Sequence, residues 1–267
     1  MWRLMVLILA LSASFNSFAM EAVGQVILSY GDNLAVNAKG ITRALKRGAY
    51  VYEKDRLETG VRGRLHIRFA DGSRMNMKPE SALQLAQFEF KQRKPEQGKA
   101  VFQLLRGGLR TITGKIGKTN PDNYKFQTVL ATIGIRGTVY EVYMCDRCCA
   151  ETHNVSEGVA GGVERGGIDV DTAVGKAEVD PGAFFELTRE SSALMVSNTR
   201  PAMLAIDDVG PYIAPQHRTQ LQPRSSEQIP VDADAKACSE RSELGALNAD
   251  MAKIWSLCGD QGATGGS

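Results

Sequence analysis

RLHIRFADGSRMNMK, residues 64–78, is apolar at every second position on both sides of a turn. Leu65, Ile67 and Phe69 alternate with Arg64, His66 and Arg68, the chain reverses at Asp71-Gly72, and Met75 and Met77 then alternate with Arg74, Asn76 and Lys78. Successive side chains of a strand point to opposite faces, so this period of two predicts a hairpin with one apolar row buried and one basic or polar row outside. Working outward, 23–29 (VGQVILS) and 50–59 also read as strands. In 81–90 (SALQLAQFEF) Leu83 and Leu85 share one parity, whereas Phe88 and Phe90 share the other, a slip that predicts a bulge or corner. Residues 91–99 hold almost no apolar side chain and read as a surface loop. Val101 to Leu105 resumes the strand, Gly107-Gly108 interrupts it, and 109–116 continues.

A second block, 124–143 (YKFQTVLATIGIRGTVYEVY), differs from the first in being apolar on both parities over 133–144. Tyr140, Val142 and Met144 fall on one face and Ile135, Val139 and Tyr143 on the other, the pattern of a strand covered on both sides. Gly134 and Gly137 within it mark a kink or a close backbone approach. Short strands near 154–159, 167–170, 176–179 and 184–188 follow, with a turn at Asp180-Pro181-Gly182. Amphipathic helices between strands are missing, so the expected class is all-β, arranged as a β-solenoid-like fold or a β-sandwich.

Together these blocks resemble the FecR domain family. The carrying residues are Asp71-Gly72-Ser73 after an alternating strand, Gly134-Ile135-Arg136-Gly137-Thr138 leading into an apolar strand, and GAYVYEKDRLET at 48–59. The resemblance implies a periplasmic or secreted β-domain, best known as the sensing part of iron-uptake regulators, where it meets the signalling domain of an outer-membrane receptor. It implies motif roles for Asp71, Gly72, Ser73, Gly134, Gly137 and Thr138. Family regulators place a sigma-factor-binding segment and a membrane helix before this domain; this chain reads as a stand-alone member, so neither sigma-factor control nor receptor pairing is carried over.

Met1-Trp2-Arg3, an apolar run from Leu4 to Leu11 and Ser17-Phe18-Ala19 have the parts of a secretory signal peptide, expected at 1–19. The run is short of the ~20 apolar residues that span a bilayer. Beyond it the sequence divides into a β domain with its extension at 23–190, a linker at 191–234 and a C-terminal helical hairpin at 235–259, the last from Leu244, Leu247, Met251, Ile254 and Trp255 at helical spacing. A net charge of +2 over 267 residues argues against nucleic acid. Lys91, Arg93, Lys94, Lys99, Arg106, Arg110, Lys115, Lys118, Lys125 and Arg136 form an uneven basic stripe, read as solvated strand faces or as a surface for an acidic partner.

The chain has five cysteines. In an exported protein these point to disulfides. Cys238 and Cys258 bracket the helical stretch and are one expected pair, which leaves Cys145, Cys148 and Cys149 with an odd thiol. With His153 those three also make C-x2-C-C-x3-H, a soft-ligand set, although adjacent cysteines suit one metal ion poorly. A disulfide-stabilised loop is the reading taken, and no metal or cofactor is expected.

No catalytic pattern emerges. GKIGKT at 114–119 ends like a phosphate loop, but the required first glycine falls at Ile112 and the stretch reads as strand and turn. Asp169 and Asp171 share a face without further oxygen ligands for Ca2+. Ser73 has no neighbouring base and reads as a turn residue. Arg136, between glycines, is expected either to satisfy carbonyls or an acid such as Asp55, or to contact a ligand. The function expected is a non-catalytic exported module that binds, senses or scaffolds in the cell envelope, contacting an envelope protein or anionic envelope polymer through Arg64, Arg68, Arg74 and Arg136. The alternatives are an envelope glycan-acting enzyme or a cysteine-based metal or redox sensor.

Overall fold

The computed structural model describes residues 21–191 and 193–206. The expected signal peptide at 1–19, the helical hairpin at 235–259 and the Cys238–Cys258 pair lie outside the described residues. The strands in chain order are β1 (Ala22–Tyr30), β2 (Asn33–Val36), β3 (Thr42–Ala44), β4 (Tyr50–Tyr52), β5 (Arg56–Thr59), β6 (Arg64–Phe69), β7 (Arg74–Met77), β8 (Ala82–Glu89) and β9 (Lys99–Ile112). They continue as β10 (Tyr124–Gln127), β11 (Ala131–Ile135), β12 (Val139–Cys145), β13 (Gly158–Arg165), β14 (Ile168–Thr172), β15 (Gly175–Val179), β16 (Phe184–Thr188) and β17 (Met195–Ser197). Two short helices interrupt them, α1 (Lys115–Thr119) and α2 (Arg147–His153). The all-β expectation holds.

The pairings build two layers that share one strand. The first sheet runs β4-β1-β6-β7-β9-β12-β13-β16-β17. The second runs β3-β2-β5-β8-β9-β10-β11-β14-β15. Residues 99–106 of β9 pair in the second sheet and 107–112 in the first. The change of layer falls at Gly107-Gly108, which the sequence read as a break. Gly107 has φ +71°, left-handed backbone that glycine adopts without strain. β9 and β10 pair in parallel, and all other strand pairings among the described residues are antiparallel.

The layers face each other across one core. Leu65, Ile67 and Phe69 of β6 and Met75 and Met77 of β7 are buried from the first sheet, as the alternation predicts, and Leu57, Leu83, Leu85, Phe102, Leu104, Phe126 and Ile133 meet them from the second. Phe69 stacks on Phe88 at 5.4 Å and sits edge-on to Phe102 at 5.2 Å. Burying an aromatic ring of this size contributes about 1.5–3 kcal/mol. The Tyr124 and Tyr140 hydroxyls hydrogen-bond across the layers at 3.0 Å, and burial pushes both phenols above their ordinary range. The parity slip in β8 is a bulge between Leu85 and Gln87.

Three local expectations are corrected. The stretch 133–144 is two strands in different layers, joined by the corner 136–138. Residues 115–119, expected as strand and turn, form α1. Residues 191–206, expected as the start of a linker, instead carry β17 and a 3-10 turn at Ala202–Ala205 whose Met203 and Leu204 are buried.

Candidate functional site

The motif residues act as clips between distant segments. Asp71 is buried; its Oδ1 accepts from Ser73 N at 2.9 Å and from the Ser73 hydroxyl at 2.6 Å. Its Oδ2 accepts from Ile116 N at 3.4 Å and its carbonyl from Lys115 N at 2.9 Å. The hairpin tip is thereby docked on the start of α1, and the helix's amides meet a carboxylate. The phosphate-loop reading therefore fails for a reason other than the absence of a helix.

The corner at Gly134 to Thr138 works the same way. Thr138 Oγ donates to Gly167 O at 2.6 Å and accepts from Arg136 N at 3.1 Å, while Thr138 N donates to Thr113 Oγ at 2.9 Å. Gly137 takes φ +65° to turn the chain from one layer to the other. In the 48–59 motif, Asp55 Oδ2 accepts from Tyr52 N at 2.7 Å and the carboxylate pairs with Arg43. Thr59 Oγ donates to Lys78 O at 2.7 Å and accepts from Ser81 N at 2.8 Å. These polar atoms are occupied inside the fold, so the recognisable motifs specify shape.

Arg136 does not reach Asp55, which Arg43 takes. Its half-exposed guanidinium pairs with Glu178 at 3.2 Å and Asp169 at 3.7 Å on the second sheet, and these acids hold it firmly protonated. Asp169 therefore faces Arg136, and Asp171 faces Lys176 at 2.6 Å, so cations already neutralise the pair read for Ca2+. Among the described residues no group of three or more His, Cys, Asp or Glu is arranged to hold a metal ion.

Arg64, Arg68 and Arg74 lie together on the outer row of the first sheet. Arg68 is directly opposite Arg74, and His66 opposite Asn76. Asn76 is in turn opposite Arg110 of β9, which pairs with Glu164. Like charges opposite one another destabilise a sheet unless something offsets them. Arg43, Arg56, Arg110, Arg136, Arg147, Arg189 and Arg200 each have an acid partner. Arg64, Arg68 and Arg74 make no ion pair among the described residues. The half-buried His66 ring is pushed below its ordinary value, first by desolvation and then by Arg64. Exposed Tyr30 and Ile27 on β1 border the row.

The other end of the same outer face is covered. Residues 200–206 fold back over it, with Met203, Leu204 and Ile206 buried against Tyr143, Cys145 and Ala160. Lys78 Nζ donates to Leu204 O at 2.9 Å and Ile206 O at 3.0 Å, and lies 5.5 Å from the Tyr143 ring centre. Arg200 pairs with Glu141 and donates to Leu204 O at 3.2 Å. The alternation puts Lys78 in the outer polar row; its partners Leu204 and Ile206 lie over a hundred positions away, so no local pattern could reveal them. A shallow cleft of about 430 Å3 lies elsewhere, lined by Glu53, Phe88, Phe90, Lys91 and Lys94 among others.

Cys145 and Cys149 form a disulfide with Cα atoms 5.3 Å apart, and Cys148 is engaged as well. This corrects both the odd thiol and the C-x2-C-C-x3-H ligand set, because oxidised sulfurs are not thiolate ligands. The segment is a helix, α2, capped by Asp146 Oδ1 accepting from Cys149 N at 2.9 Å.

Residues 55–164 match the family model described as FecR protein. No curated protein matches the chain. Two crystal structures of a putative anti-sigma factor from Parabacteroides distasonis ATCC 8503 are similar, at 10% identity and TM-scores of 0.44 and 0.42, over 57% of this chain. The match spans 62% of those chains, less than two thirds of their length.

Proposed function

We propose that this protein, which carries a FecR domain over residues 55–164, is a non-catalytic exported module that binds an acidic surface of a protein partner in the cell envelope. The observation that carries the reading is the outer face of the β6–β7 hairpin, where Arg68 lies opposite Arg74 and Arg64 stands four residues from Arg68 on the same strand, all three without ion pairs among the described residues. A partner carboxylate set on this face would relieve the cross-strand repulsion and supply charge-assisted hydrogen bonds. Export is supported by the signal-peptide pattern at 1–19 and by the Cys145–Cys149 disulfide, a bond that persists in oxidising compartments. A protein partner is favoured over an anionic polymer because the arginines share their face with exposed Tyr30, opposite Arg64, and with exposed Ile27, a mix of aromatic, apolar and Arg side chains suited to an interface. The FecR match at 55–164 makes a sensing role the parallel reading.

Mild crosslinking of the full chain in envelope preparations, followed by mass spectrometry, tests this. The wild type and Arg136→Ala should capture the same partner, whereas Arg68→Glu with Arg74→Glu should lose it, and capture should weaken as salt rises. Equal recovery by the charge-reversed protein would overturn the assignment of this face.

A further inference from the structure

We propose that the Cys145–Cys149 disulfide is a redox-sensitive latch that holds residues 200–206 on the outer face of the first sheet. Cys145 belongs to the same buried cluster as Tyr143, Ala160, Met203, Leu204 and Ile206, and Cys149, Ala150 and Val155 pack against that cluster. The crosslink thus forms one wall of the seat that the strap occupies. Seven-residue α2 contributes no fully buried side chain of its own. Helices that short are unstable unless tethered. Besides the disulfide it is held by the Asp146 cap, by a hydrogen bond from Val155 N to Ala150 O at 3.2 Å and by the engagement of Cys148, none of which ties it to β12 at Cys145. Once the disulfide opens, the helix loses its covalent hold on β12 and the wall formed by Cys149, Ala150 and Val155 loosens.

The chemistry needs a dithiol reductant. Cys145 is fully buried and Cys149 partly exposed, so a reductant thiolate reaches Cys149 Sγ, forms a mixed disulfide there and expels Cys145 as a thiolate that takes up a proton. The reductant's second thiol then displaces Cys149, which also ends as a thiol, and the reductant leaves as its own disulfide. Two electrons and two protons have passed to the protein. Opening exposes Met203, Leu204 and Ile206, together with the Tyr143 and Ala160 seat they cover. An apolar patch thereby appears on the same sheet as the arginine row.

Amide hydrogen exchange read by mass spectrometry on the full chain tests the latch, with dithiothreitol as the probe. Because Cys148 is also engaged, the reduced protein is compared with Cys145→Ala/Cys149→Ala, which leaves Cys148 in place. Both should lose protection at 147–155 and 200–206 by about tenfold, a coupling of ordinary size between linked sites, while 64–77 stays as protected as before. Unchanged protection at 200–206 would overturn the proposal, as would equal loss across 64–77, which would make the bond a staple of the whole fold. Linkage supplies the converse test. Leu204→Asp, which unseats the strap, should lower the dithiothreitol ratio for half-reduction of Cys145–Cys149 by about fivefold or more, and an unshifted ratio would overturn the coupling.

Discussion

Replacing Asp71 by Ala probes the clip between the hairpin tip and α1. The change deletes both acceptor oxygens and leaves Ser73 N, the Ser73 hydroxyl and Ile116 N facing an apolar methyl in a buried site. Each stranded donor costs about 1–3 kcal/mol, and the 3.4 Å bond to Ile116 contributes least. Allowing for partial relaxation, the expected loss is about 3 kcal/mol. Asp71→Asn keeps an acceptor toward Ser73 but turns an amide donor on Ile116 N or forfeits charge assistance, for about 1–2 kcal/mol. Urea unfolding of the full chain followed by circular dichroism converts the first figure into a midpoint shift of about 1–2 M. Asp71→Ala combined with Ser73→Ala should cost less than the sum of the two, because the second change removes a stranded hydroxyl. A loss under about 0.5 kcal/mol, or one no larger than that of exposed Asp122→Ala, would refute the view that the Asp-Gly-Ser motif is a buried clip.

Other outcomes follow from the same geometry. Gly108→Ala would drive its methyl into the Tyr143 ring and should cost about 1–3 kcal/mol, measured by thermal unfolding; an unchanged midpoint would mean that β9 changes layer differently. Arg43→Met leaves the buried Asp55 carboxylate with Tyr52 N alone and should destabilise by about 2 kcal/mol, the cost being moderated by Arg43's partial exposure; Asp55→Asn added to it should recover part of the loss. For His66 the folded pKa lies below 6.5, so as pH falls the unfolded chain takes up a proton first. Stability should decline from pH 6.5 down to the lower folded value and then level off. In His66→Asn that part of the decline should vanish, and an identical pH profile would refute the assignment.

The β6–β7 hairpin was legible because one layer of core lies on one side of it, so Leu65, Ile67 and Phe69 keep a single parity inward. The 133–144 stretch misled for a physical reason. Ile133 and Ile135 point into the core from the second sheet, the corner shifts the phase, and Tyr140 and Val142 then point into it from the first. Tyr143 and Cys145 are buried on the opposite side by the strap. Two inward faces and one covered outward face look, in one dimension, like a strand buried on both sides. Helix α1 was unreadable because five residues show no period and its start is organised by Asp71, far upstream. At the candidate face, Arg64, Arg68 and Arg74 could be read from alternation. Arg136 could not be placed, since its partners Asp169 and Glu178 become neighbours only through the pairing of β11, β14 and β15.

Strand β9 has a consequence for how the polypeptide assembles. Everything through β8 precedes it and everything from β10 follows, yet each layer needs this one strand in its middle. Until residues 99–112 are laid down, the later strands have no template edge to zip onto, and the earlier ones expose two raw margins, β7 and β8. The search is dominated by distant partners, which slows folding. A nascent chain halted just before Lys99 would therefore be the species most in need of a chaperone, and release of the next fourteen residues should be the step at which that need falls away.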